Sequence, residues 1–269
     1  GTYEARFSIT FPQGATMPAG GFPLVLYSHG TGGNYRSYIA DGTATRLAAE
    51  GYAVMGIDQI HHGARNPTTL SPELLFFNLQ NPNAVRYNTL ESAIDIIAQA
   101  RFAENAVVPT SALMVPGGPA RFDPDHIYFF GHSQGGLVGP LFLGLDDVVG
   151  GGVVSAGGSI LAYALLEKIQ PLSIPEVVRA ALQIPGGTAA VAFEAEGFDF
   201  EHPVISLLQG WIEPSEPANY GRLSFDRPRA GYAPKSILST EGLMDVYVSP
   251  PSIEALAVSM RVPLLEPEH

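Results

Sequence analysis

The sequence contains no cysteine. That excludes a disulfide framework, thiolate metal ligation and a cysteine nucleophile together, although it does not fix the compartment, since exported proteins need not carry disulfides. Charge is also sparse, at 15% of residues against 46% hydrophobic, a balance that excludes general disorder. Basic residues are the scarcest: 14 Lys and Arg stand against 26 Asp and Glu, for a formal net charge of −12. Such a field repels phosphate backbones and argues against a nucleic-acid partner. No apolar run approaches the roughly 20 residues that span a bilayer. No basic segment followed by an apolar one opens the chain, so no leader is read there. Repeats are absent, and the 30 Gly and 23 Pro are scattered rather than gathered into a linker. The 269 residues therefore read as a single domain.

What is present is an alternation of apolar strands and helices. Strands are expected over 3–11, 22–28, 52–57, 126–130, 150–155 and 235–240, with the start of another at 262–265. Helices are expected over 37–50, near 72–79, from about Leu137, and over 250–260 behind a proline. The strongest helix pattern is 88–103, with Asn88 as cap, Glu91 three residues on, and Leu90, Ala93, Ile94, Ile97 and Ala98 along one face. Residues 59–87 and 109–124 read as loops. Strands alternating with helices imply a mostly parallel, doubly wound α/β sheet. Between 158 and 220 the pattern changes to helical pieces broken by Pro and Gly, the mark of an inserted helical cap.

One motif carries chemistry. Gly131-His132-Ser133-Gln134-Gly135 is a G-x-S-x-G pentapeptide between the apolar strand IYFF and a helix, the strand–turn–helix setting that the motif requires. A sharp turn there would lift the Ser133 hydroxyl above the sheet edge as a nucleophile. It would also aim the Gln134 N–H at a developing oxyanion. The small residues two before and two after Ser133 suit a turn crowded by neighbouring chain.

With its whole length considered, the chain resembles the α/β-hydrolase superfamily. It is nearest to exported bacterial lipases and esterases with GHSQGG at the elbow, on the further strength of SHGTGG at 28–33, DQIHHGAR at 58–65 and EPSEPANY at 213–220. The resemblance implies a carboxylic-ester hydrolase, a small-molecule or lipid-like ester substrate, an exported location, and no cofactor or metal. It implies Thr31, after His29-Gly30, as the second oxyanion N–H donor, and Asp245, after the strand KSILST, as the triad acid. Glu241 is the rival carboxylate, while Asp199 and Asp226 fall too early in the fold's order. The base is the gap: after Asp245 the only histidine is His269. In the lipases that the chain resembles, a segment like VPLLEP is followed by more chain carrying the histidine. The expectation is therefore a domain incomplete at its C-terminus, with the base supplied beyond it or by a second chain, and His269 as the alternative.

Other readings compete. A serine peptidase or thioesterase could use the same scaffold, and a non-catalytic binding protein would account for the missing histidine. His61-His62 could be taken for a metal pair, but adjacent histidines diverge on an extended chain, and shaping of the loop is the better reading for them. His29 is read likewise, as a residue that shapes its turn.

Overall fold

The computed structural model describes residues 4–78, 80–109 and 115–265. Its centre is a seven-stranded sheet of β1 (Phe7–Thr10), β2 (Phe22–Ser28), β3 (Ala53–Ile57), β4 (Val107–Val108), β5 (Ala120–His132), β6 (Gly151–Ser155) and β7 (Ser236–Thr240). The order is β1-β3-β2-β5-β6-β7, with β4 paired to β5. β1 and β4 run antiparallel to their partners and the other pairs are parallel. From β2 the chain steps outward to β3, and from β5 it steps the other way to β6. The carboxyl ends of β2 and β5 therefore flank a topological switch point, where crevices open in such sheets.

Side chains alternate across the sheet as period-2 geometry demands. Leu24, Leu26, Met55, Ile127 and Phe129 enter one core, while Val25, Tyr27 and Val54 enter the other. The first face is covered by α4 (Pro82–Asn105), α5 (Gln134–Leu145) and α11 (Pro250–Met260), the second by α1 (Ser37–Ala40) and α2 (Thr43–Ala49). A short α3 (Pro72–Phe76) leads into α4. Between β6 and β7 come α6 (Leu161–Glu167), α7 (Ile174–Ala181), α8 (Ala189–Glu196), α9 (Pro203–Ile212) and α10 (Pro217–Ser224). The first four share a separate core around Leu165, Val178, Phe193 and Ile205, whereas α10 lies against α5 and α11. Among the described residues no helix is long and apolar enough to cross a membrane.

Several expectations needed correction. The helix expected over 37–50 is two helices, divided at Gly42, which takes a left-handed φ of 84°. The principal helix starts at Pro82, six residues before Asn88. Pro82 occupies the first turn, where its missing N–H costs nothing. Asn88 is no cap: it is buried in mid-helix and donates to the Leu75 and Phe76 carbonyls at 3.2 and 3.1 Å. The stripe that enters the core runs through Ala93, Ile96, Ala100 and Ala103, with Leu90 and Ile97 packed against it, leaving Ile94 57% exposed. Part of the expected 109–124 loop belongs to β5, where Phe122 pairs with Phe22. The helix after the elbow begins at Gln134 rather than near Leu137. Residues 262–265 form no strand. Arg261 turns left-handed, and the Val262 N–H closes onto the Ala257 carbonyl at 3.1 Å. That capping turn ends α11.

Phe142 on α5 is fully buried, its ring centroid 5.2 Å from that of Phe129. Phe142→Ala is expected to lower stability by about 3–5 kcal/mol, measured as a fall in the urea midpoint with unchanged slope.

Candidate active site

β5 ends at His132, α5 begins at Gln134, and the residue between them is forced into an unusual conformation: Ser133 has φ 52° and ψ −112°. A non-glycine residue held there carries about 1–3 kcal/mol of strain, so the surroundings must over-determine the turn. They do so by close backbone contact. A Cβ on Gly131 would lie 2.4 Å from the Gly135 carbonyl oxygen, and one on Gly135 would lie 2.1 Å from that of Ser28. The Ser133 N–H donates to the Ser155 carbonyl at 2.8 Å and the Gly135 N–H to that of His29 at 3.1 Å. The Gln134 N–H between them has no acceptor among the described residues.

The loop after β2 comes against the elbow. A Cβ on Gly30 would stand 3.1 Å from the Ser133 Cβ. Thr31, next along, has a backbone N–H that likewise finds no acceptor among the described residues. Its hydroxyl is engaged, donating to the Gln134 Oε1 at 3.0 Å. Thr31, Ser133 and Gln134 all line one cleft, whose other walls are mostly apolar and include Leu137, Leu161, Leu165 and Ile212.

His29 is 1% exposed. Its Nε2 accepts the Gln59 N–H at 3.1 Å, so Nδ1 carries the proton and donates to the Gly30 carbonyl at 2.8 Å. Burial holds this ring neutral, its pKa pushed down to about 3, and burial also lowers that of His62, whose ring lies 4.9 Å away. Asp58 is fully buried and accepts the Tyr35 and Ala64 N–H groups at 2.9 and 3.1 Å. The 58–65 segment is thus fastened through its backbone. No group of three or more His, Cys, Asp or Glu able to hold a metal occurs among the described residues.

Asp245 lies in the turn after β7. Because Thr240 pairs with Ser155, and Ser155 with His132, this turn falls on the same carboxyl edge of the sheet as Ser133. The Asp245 Oδ1 accepts the Tyr247 and Val248 N–H groups at 2.8 and 3.0 Å, and Tyr247, Val248 and Ser249 line the cleft. Glu241, the rival carboxylate, is exposed at the strand end. His269 lies outside the described residues, and no described histidine follows Asp245. His126 is engaged with Asp123, His132 with Ser155, and His202 with the first turn of α9.

Sequence reasoning overlooked Gln59, which is 2% exposed and lies at the centre of this region. The available signal was its place, two residues past β3 on the same sheet edge as the two Gly-rich turns.

Neither a family model nor a curated protein sequence matches the chain. Solved structures do. An acetyl xylan esterase from Paenibacillus sp. R4 superposes with TM-score 0.58 at 18% identity, over 96% of this chain and 71% of that one. Acetyl xylan esterase 1 from Thermoanaerobacterium sp. JW/SL YS485 gives 0.55 at 15%, over 95% and 70%. Est1E from Butyrivibrio proteoclasticus, solved with ferulic acid, gives 0.52 at 15%, over 95% and 81%. The mostly parallel sheet and its flanking helices form an α/β-hydrolase fold.

The His29 assignment has a pH consequence. The unfolded ring, with pKa near 6.5, binds a proton that the folded ring refuses until about pH 3. This contribution to stability is complete above about pH 6.5 and is lost as pH falls toward 3, at up to about 1.4 kcal/mol per pH unit. Imidazole NMR should show His29 uncharged at pH 5 in the folded protein, and a His29 resonance titrating near 6.5 would contradict its burial.

Proposed function

We propose that the protein is a serine hydrolase of carboxylic esters. The observation that carries this reading is the strained Ser133 turn at the mouth of an apolar cleft, beside two backbone N–H groups that find no acceptor among the described residues. The Ser133 Oγ attacks the ester carbonyl carbon while an imidazole takes its proton. The Thr31 and Gln134 N–H groups receive the oxyanion. Collapse of the tetrahedral intermediate breaks the C–O bond to the alcohol, which leaves with the imidazolium proton, and water then releases the acyl group by the same steps. Asp245, with Oδ1 tied to its own turn, orients the imidazole through its other oxygen. The imidazole comes from outside the described residues: from chain that follows residue 269, from a second chain, or from His269 itself. A peptidase or thioesterase on this scaffold would use the same turn and the same two N–H groups, and the preference for an ester rests on the apolar lining of the cleft.

The helices between β6 and β7 act as a cap. The segment expected at 158–220 supplies Leu161, Leu165, Ile174, Ile212 and, at the start of α10, Pro217 to the cleft, while the rest of α10 braces α5 and α11. An apolar cleft of this kind suits an acyl chain, since each methylene taken from water is worth about 0.8 kcal/mol, or roughly fourfold in affinity.

Ser133→Ala is expected to lower p-nitrophenyl ester turnover about 10⁴-fold or more and to abolish labelling by a fluorophosphonate, with the fold intact by circular dichroism. Undiminished turnover by the pure variant would remove Ser133 from the reaction. Ala164 also lines the cleft. Ala164→Trp should reduce kcat/KM for the octanoate ester relative to the acetate by roughly fifteenfold, the worth of two displaced methylenes, and an unchanged ratio would place the acyl chain elsewhere.

A further inference from the structure

Thr31 and Gln134 arrive from different parts of the chain, 103 residues apart in sequence, yet an oxyanion hole needs their N–H groups fixed relative to each other within a fraction of an ångström. Their side chains are joined directly, and the chain of hydrogen bonds continues inward in one direction. The Thr31 hydroxyl donates to the Gln134 Oε1 at 3.0 Å, and the Gln134 Nε2 donates to the Gln59 Oε1 at 3.0 Å. The Gln59 Nε2 then donates to the His29 carbonyl oxygen, which also accepts the Gly135 N–H. The Gln59 backbone N–H meanwhile holds the His29 ring. Both glutamines are only 2% exposed, so water cannot replace a lost partner, and each amide's orientation is set by its neighbours.

We infer that Gln59 is a positioning residue for the oxyanion hole, holding the Thr31 loop and the first turn of α5 in register through the Gln134 amide. This rests on the reading of Thr31 and Gln134 as the oxyanion donors. Gln59 lines no part of the cleft and touches no substrate. Its effect passes through the two residues whose amides do. The Thr31 hydroxyl proton is committed to Gln134, so Thr31 serves the oxyanion by its backbone N–H alone, and the hydroxyl serves only the clasp.

The test compares Gln59→Ala with Thr31→Val, which removes the hydroxyl while keeping the shape and the backbone N–H. The control is Gln99→Ala, another buried glutamine, whose Nε2 donates to the Met55 carbonyl at 3.1 Å, away from the elbow. Turnover of p-nitrophenyl butyrate and inhibition by a phenylboronic acid, which mimics the tetrahedral intermediate, are read alongside thermal unfolding. Gln59→Ala should lower kcat roughly ten- to a hundredfold with little change in KM, and weaken the boronic acid by a similar factor. Thr31→Val should lower kcat several-fold, and the double variant should lose less than the product of the two single losses, because both break one chain. Gln99→Ala should lose stability without the kcat loss. If Gln59→Ala is too unstable to purify, Thr31→Val decides alone, and a kcat within twofold of the unaltered protein overturns the inference. A Gln59→Ala protein that loses stability but keeps kcat and boronic acid affinity overturns it too, as do multiplicative losses in the double variant. Failure of the ester-hydrolase reading looks different, because the unaltered protein would then turn over no p-nitrophenyl ester at all.

Discussion

The Ser28 carbonyl oxygen occupies the space that any side chain on Gly135 would need, with only 2.1 Å between it and the Cβ position. That contact lets the end of β2 and the first turn of α5 meet backbone to backbone. Much of the region depends on it. It brings the His29 carbonyl to the Gly135 N–H, sets Gly30 beside Ser133, and holds Ser133 in a conformation that an isolated turn would abandon. The strain is local, and the parallel pairing of β2, β5 and β6 around it supplies the restraint.

Around this contact the polar groups are arranged with few options left open. His29, Asp58, Gln59 and Gln134 are all nearly inaccessible to water, and each has hydrogen-bond partners in the backbone or in one another. A buried polar cluster with satisfied bonds is rigid, because every rearrangement strands a donor or acceptor at a cost of about 1–3 kcal/mol. Rigidity of this kind suits the proposed pairing of the Thr31 and Gln134 amides at a fixed spacing. Several of the apolar side chains that wall the cleft beside it stand on helices with a core of their own.

Much of this was legible in the sequence because the physics that produces it is local. β2 is a short apolar run ended by turn residues, and β2, β6 and β7 lie where period and punctuation place them. The elbow was legible because a serine flanked by glycines, between a strand and a helix, is compatible with few local structures besides a sharp turn. α4 was misread at its start because the Asn88 and Glu91 pattern imitates a cap. Asn88 instead satisfies the frayed end of α3, a partner 12 residues distant that no local rule anticipates.

The sequence by itself determined the alternation of strands and helices, the position of the sharp turn and the apolar character of the segments after β6, since each follows from neighbours within a few residues. Only the tertiary structure decided which chain ends converge. The meeting of Thr31 with Gln134, the bridge through Gln59, and the arrival of Asp245 on the same sheet edge as Ser133 all depend on strand order and register. Those are set by long-range pairing and packing, whose energies are shared among residues far apart in the chain and so leave no mark at any one position.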